Sequence, residues 1–188
     1  MTYVYLGLGA NIEPQASLQT GITELRAAFG EVHLSPVYRA PAVGMDGADF
    51  LNMVVAFACP MSHAELVQWI REIETKHGRK RAAGLDIKPT SHGLDMDLLL
   101  FGQLVDVNAN VPRADILTCA YVLQPLADIA PNLVHPAQGL TISQLNTACQ
   151  FDQVLWPTEY CFWCFKLKLW GKDAELFHML GYFRRLVT

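Results

Sequence analysis

The chain is short of charge: Asp, Glu, Lys and Arg make up 17% of its 188 residues, against 52% hydrophobic residues. That balance fits a folded globular chain and excludes a disordered one. It also lacks a basic excess. Formal net charge is −4, so no nucleic-acid partner is expected. No apolar run approaches the ~18 residues of a membrane span, and no membrane partner is expected. Met1-Thr2-Tyr3 enters strand-like sequence without a basic leader, so no export signal is expected. The five cysteines are odd in number and irregularly spaced, which predicts reduced thiols and a cytoplasmic protein. A phosphate-binding P-loop sequence is missing. Gly7-Leu8-Gly9-Ala10-Asn11-Ile12 begins like a dinucleotide fingerprint but has no third glycine, and Pro14 intervenes before the helix. It is therefore a weak nucleotide signal. Cys161 and Cys164 have no second pair downstream, too few ligands for structural zinc.

What is present alternates between strand and helix. Tyr3–Gly9 reads as a buried strand. Pro14 opens a helix with Leu18, Ile22, Leu25 and Phe29 on one face, and Gly30 stops it. Extended segments follow at 32–39 and 50–58. Ser62-His63-Ala64-Glu65 has the form of a capping box before a second amphipathic helix ending at Gly78. Residues 79–93 read as a loop, 94–101 as a strand, and 116–129 as a helix that Pro125 starts, kinks or breaks. The order β-α-β-β-α-β predicts an α+β fold: a ferredoxin-like sheet with helices on both faces, three layers in all. Composition shifts near residue 157. Residues 157–188 hold eight aromatics, against eleven in the 156 before them. The expected organisation is one domain over 1–156 and an aromatic-rich extension over 157–188, as a monomer or weak homodimer.

The sharpest chemical signal is Leu94-Asp95-Met96-Asp97-Leu98-Leu99-Leu100. Side chains two apart share a strand face. Asp95 and Asp97 therefore point one way, and Leu94, Met96, Leu98 and Leu100 point the other way into a core. Adjacent carboxylates need cations, and such a pair suits two Mg²⁺ ions roughly 3.5–4 Å apart. Upstream, Arg71 and Glu74 sit three apart, as neighbours on a helix surface. Gly78-Arg79-Lys80-Arg81 follows. Its cations suit either the helix dipole or a polyphosphate. Phe50 and Asn52 share a strand face, an aromatic surface beside an amide, which suits a flat hydrogen-bonding heterocycle. His92 lies beside the acid pair.

Several stretches together resemble one family, the 6-hydroxymethyl-7,8-dihydropterin pyrophosphokinases. They are LGLGANI (6–12), SPVYRAPAVG (35–44), DFLNMVVAF (49–57), GRKR (78–81) four residues after Glu74, LDMDLLLFG (94–102) and VLQPLADIAPNLVHP (122–136). The resemblance implies transfer of pyrophosphate from ATP to the hydroxymethyl group of a reduced pterin, releasing AMP, with two Mg²⁺. It implies that Asp95 and Asp97 hold the metals and that Arg79 and Arg81 contact or organise the phosphates. Arg71, Glu74 and Leu98 would line the nucleotide site. Asn52 would bind a pterin stacked between Phe50 and Tyr121, and the backbone near Ala40 and Val43 would complete that pocket. The chain departs from the pattern in the phosphate clamp. His92 and Cys119 stand where the family has arginines, and Arg113 stands where it has a histidine. Both would still face ATP in the cases of His92 and Arg113. The alternative to an active enzyme is a non-catalytic or altered-specificity paralogue that binds pterin or nucleotide.

Overall fold

A computed structural model describes residues 1–42, 47–77, 93–160 and 162. The first strand, β1 (Thr2–Ala10), alternates strictly: Val4, Leu6, Leu8 and Ala10 are buried. Helix α1 (Pro14–Phe29) starts where Glu13 takes a left-handed turn (φ 40°) and Pro14 supplies a preset φ. It stops at Gly30 (φ 79°), whose N–H donates to the Arg26 carbonyl at 3.0 Å. The extended segment expected over 32–39 is two short strands, β2 (His33–Leu34) and β3 (Tyr38–Ala40). Pro36 lies between them and has no N–H for a ladder. The buried Ser35 bridges the gap: its hydroxyl accepts from Val54 N at 2.9 Å.

β4 (Phe50–Cys59) is the long central strand. Ser62 and Glu65 form the expected reciprocal capping box at the start of α2 (His63–Lys76). Gly78, the expected helix stop, lies outside the described residues. β5 (Asp95–Phe101) follows, then α3 (Asp115–Thr118), α4 (Ala120–Ile129), α5 (Ile142–Ala148) and β6 (Trp156–Pro157). The helix expected over 116–129 does break, at Cys119 (φ −124°, ψ 115°) and not at Pro125, which α4 carries inside it. The Gln153 side chain accepts from Ala120 N at 2.7 Å and satisfies one donor at the new helix start.

The strands form one sheet in the order β5-β1-β4-β3-β6, with β2 also paired to β4, and every pairing is antiparallel. The architecture is mixed α/β. β6 pairs with β3 through Trp156 and Pro157. One face of the sheet packs on α1 and α2. Val4, Leu6, Leu8, Met53, Val55, Phe57, Met96 and Leu98 meet Leu18, Ile22, Leu25, Leu66, Ile70 and Ile73 there. Phe29 stacks on Phe57 at 4.5 Å and meets Trp69 edge-on, which joins the two helices. The other face packs on α3, α4 and α5 through Val54, Leu99, Leu100, Ile116, Leu123, Leu126 and Ile142. No helix among the described residues is long and apolar enough to cross a membrane.

Leu100 corrects one expectation. The β1–β5 register slips at this point: Leu6 pairs with Leu98 but Tyr5 pairs with Leu100, leaving Leu99 as an extra residue. Such a bulge reverses the alternation beyond it. Leu100 therefore joins Leu99 on the α4 face, away from Leu94, Met96 and Leu98.

Candidate active site

The strand register assembles the site from residues far apart in sequence. Across β5, β1 and β4, Asp95 pairs with Gly9 and Gly9 with Asn52; one step along, Asp97 pairs with Gly7. Paired residues share a face, so the two carboxylates and the Asn52 amide lie on the α4 side. Two strand spacings separate Asp95 from Asn52, about 10 Å. Glycine between them leaves a trough. A Cβ on Gly9 would stand 3.4 Å from Asn52 Oδ1 and 3.9 Å from Phe50 Cδ1.

Above that trough lies a cavity of about 160 Å³, lined among others by Ala40, Pro41, Phe50, Asn52, Asp95, Asp97 and Tyr121. Its size is below the roughly 300–1,000 Å³ of pockets for drug-sized ligands, and it suits one flat ring system better than a whole nucleotide. Phe50 and Asn52 enter from β4, Ala40 and Pro41 from the end of β3, and Tyr121 from the first turn of α4. Asn52 is 8% exposed, which puts its amide where hydrogen bonds are strong and directional. Burial raises the Tyr121 phenol above its ordinary pKa, helped by its hydrogen bond with Cys119 and by the carboxylates of Asp115 and Asp97. Tyr121 therefore stays protonated and able to donate near neutral pH.

The acid pair is held from both ends. Leu94, immediately before β5, is buried against α1, where Gly21 makes room; a Cβ on Gly21 would stand 3.0 Å from Leu94 Cδ1. From the other side comes Arg113, which follows Pro112. Its backbone N–H donates to Leu99 O at 2.9 Å. Its guanidinium reaches Asp97 Oδ1 through Nη2 at 3.0 Å and Asp115 Oδ2 through Nε at 2.6 Å. Burial works against its charge, but Asp97, Asp115 and Asp95 outweigh it and raise the Arg113 pKa. Among the described residues, no group of three or more His, Cys, Asp or Glu could hold a metal. Two carboxylates beside a polyphosphate are nevertheless a fitting oxygen donor set for Mg²⁺, which keeps waters and substrate phosphates as its remaining ligands.

The structure gathers Ala40, Phe50, Asn52, Asp95, Asp97 and Tyr121 at one cavity and sets Arg113 against it. Three others stand apart. Arg71 is exposed on α2, and Glu74 is buried at 2% exposure instead of sharing a surface with it. Glu74 accepts from Met96 N at 3.1 Å, satisfying a backbone donor of the edge strand β5. Leu98 packs in the α1/α2 core, on the sheet face opposite the carboxylates. Val43, Arg79, Arg81 and His92 lie outside the described residues.

Sequence reasoning missed Gly7 and Gly9 as the floor of the trough. Their signal was available, since glycine inside a strand marks a close approach of another group. It also missed Asp115 as the second anchor of Arg113 and Pro41 and Leu99 as wall residues. These depend on how distant segments meet, and no local pattern carries that.

The chain is similar to proteins of one known family. The family described as 7,8-dihydro-6-hydroxymethylpterin-pyrophosphokinase (HPPK) matches residues 5–131. A Synechocystis protein named 2-amino-4-hydroxy-6-hydroxymethyldihydropteridine pyrophosphokinase is 39% identical over 157 residues, covering 81% of this chain and 78% of its own. A Pseudomonas aeruginosa protein of the same name is 34% identical, covering 80% of this chain and 94% of its own. The crystal structure of a Plasmodium falciparum HPPK-DHPS variant shares the fold at a TM-score of 0.56 and 13% identity. That match covers 78% of this chain and 45% of the Plasmodium chain. On the extent of the family match and the identity to these relatives, the chain belongs to the 7,8-dihydro-6-hydroxymethylpterin-pyrophosphokinase family.

Proposed function

We propose that this chain transfers the β,γ-pyrophosphate of ATP to the hydroxymethyl oxygen of 6-hydroxymethyl-7,8-dihydropterin and releases AMP, a step of folate biosynthesis. One observation carries the reading. The sheet register sets a carboxylate pair about two strand spacings from an aromatic and amide pocket, along one trough floored by Gly7 and Gly9. A pterin ring seated at Asn52, between Phe50 and Tyr121, would extend its hydroxymethyl arm along that trough toward Asp95 and Asp97.

The hydroxymethyl oxygen attacks the β-phosphorus of ATP. A new O–Pβ bond forms, the bond from Pβ to the α,β-bridging oxygen breaks, and AMP leaves with that electron pair. The proton of the hydroxymethyl group passes to solvent. Mg²⁺, when bound, neutralises phosphate charge and holds the chain of phosphates in line. Asp95 and Asp97 would hold it. Asn52 would fix the ring's orientation by hydrogen bonds, and Phe50 and Tyr121 would cover its two faces. Such catalysis is positioning and charge compensation more than covalent chemistry. Arg79, Arg81 and His92 would approach the phosphates, with Arg71 at the nucleotide's edge and Val43 completing the pterin pocket. Glu74 and Leu98 would act from beneath, by setting the position of β5.

The strand order β5-β1-β4-β3 supports reading the sheet as ferredoxin-like, with β2 and β3 together as its second strand. The catalytic unit would be residues 1–156 with 157–188 as an extension, acting in the cytoplasm on small-molecule substrates. Protein mixed with Mg-ATP and the hydroxymethyl dihydropterin should release one AMP per pterin consumed. Asp97→Asn should lower kcat/KM by about 10³-fold or more while leaving the melting temperature nearly unchanged. Tight pterin binding without AMP release would replace this reading with a binding paralogue.

A further inference from the structure

Arg113 puts a permanent cation where the acid pair would take a metal. Its guanidinium bridges Asp97 and Asp115, at 3.0 Å from Asp97 Oδ1 and 2.6 Å from Asp115 Oδ2. The two contacts use different nitrogens, Nη2 and Nε. Its backbone is pinned to β5 through the 2.9 Å hydrogen bond to Leu99 O. Three features make the arrangement a device and not a loose surface pair. The main chain is fixed, Asp115 holds the inner nitrogen, and the outer end of the fork lies on the carboxylate that lines the cavity. Arginine cannot shed its proton in a protein, so pH does not remove the competing charge.

We infer that Arg113 is an internal counterion that competes with divalent metal for Asp97 and exchanges Asp97 for the triphosphate when nucleotide arrives. The inference rests on the proposed role of Asp97 as a metal ligand. Before nucleotide binds, the Arg113 charge neutralises Asp97 and disfavours a divalent ion arriving alone. Once phosphate oxygens are present, the outer nitrogens can donate to them in place of Asp97 while Nε stays on Asp115. Planar forks suit phosphate oxygens as well as carboxylates, so the side chain changes one anion for another without moving its base. Free metal would bind weakly and the metal–nucleotide complex tightly.

The test is a titration with Mn²⁺, followed by the electron paramagnetic resonance signal of the free ion. It is run on the full chain with and without a non-hydrolysable ATP analogue. Without nucleotide, Arg113→Gln should bind Mn²⁺ at least about tenfold tighter than the wild type. The same variant should bind the metal-free analogue more weakly. A purely structural role would shift both affinities the same way. Arg113→Lys keeps the charge without the fork and should stay near the wild-type Mn²⁺ affinity. It also guards against misfolding of the glutamine variant, which thermal melting would reveal. Unchanged or weaker Mn²⁺ binding by folded Arg113→Gln would overturn the inference. Should Asp97→Asn bind Mn²⁺ with the analogue as well as the wild type does, the metal-ligand role of Asp97 falls, and the inference with it.

Discussion

The same three strands present opposite chemistry on their two faces. Toward α1 and α2, β1, β4 and β5 offer Val4, Leu6, Leu8, Met53, Val55, Phe57, Met96 and Leu98, all buried. Toward α4 they offer Gly7, Gly9, Phe50, Asn52, Asp95 and Asp97 before closing with Val54, Leu99 and Leu100. The first face is continuous apolar packing. The second is packed at one end and hollow at the other. Period-two alternation lets one strand serve both purposes without compromise, because a change on one face leaves the other face's side chains where they were.

That division is testable by breaking each face separately. The largest effect on folding is expected on the closed face. Phe57 is fully buried and stacked on Phe29. Phe57→Ala should lower unfolding free energy by about 3–5 kcal/mol, read by urea titration. The protein that stays folded should keep its pterin affinity. A loss of affinity as large as the loss of stability would mean that the faces are coupled.

A substitution on the hollow face should do the reverse. Gly9→Val places methyl groups where the Gly9 Cβ direction already meets Asn52 and Phe50. Valine suits a strand better than glycine, so melting should hold or rise. Pterin affinity should fall by about 1–3 kcal/mol, tenfold or more, by calorimetry. Unchanged affinity would place the pterin elsewhere.

The sequence made the closed face easy to read. Each of its residues obeys local alternation, and so does the pairing of Asp95 with Asp97. The capping box at Ser62 and the helix start at Pro14 are equally local signals. What escaped was set by distant partners. The bulge at Leu99 exists only relative to β1, so alternation placed Leu100 on the wrong face. Pro125 read as a residue that starts, kinks or breaks the helix, yet the chain breaks at Cys119, where Gln153 is available to satisfy the new N-terminus. Glu74 read as a surface partner of Arg71 because helical spacing says which residues are neighbours and not which of them is covered. Arg113 departs from the family pattern, and its bond to Asp97 follows from the path of the chain after Leu99.

The smallest effect concerns the loop between α4 and α5, whose flanking Leu133 and Ile142 join the packing of the second face. His135 is 2% exposed. Its Nδ1 accepts from Ala137 N at 3.3 Å and Gln138 N at 3.2 Å, and its Nε2 is buried without a hydrogen-bond partner. An Nδ1 that accepts carries no proton, which assigns the neutral tautomer with its hydrogen on Nε2. A second proton would set an N–H against two N–H groups in a buried place. Burial accordingly lowers the His135 pKa. In the unfolded chain the same imidazole takes its proton near pH 6.5. The folded state is therefore favoured fully above about pH 6.5 and loses that advantage as pH falls, by at most about 1.4 kcal/mol per pH unit. The loss ends below the depressed folded-state pKa. His135→Asn offers a side-chain oxygen to the same two N–H groups but cannot titrate. Its unfolding free energy should show a shallower slope than the wild type's between pH 7 and pH 5, in paired urea titrations. Equal slopes would mean that the imidazole is protonated as readily inside the fold as outside it, and that this loop is more open to water than the burial of His135 indicates.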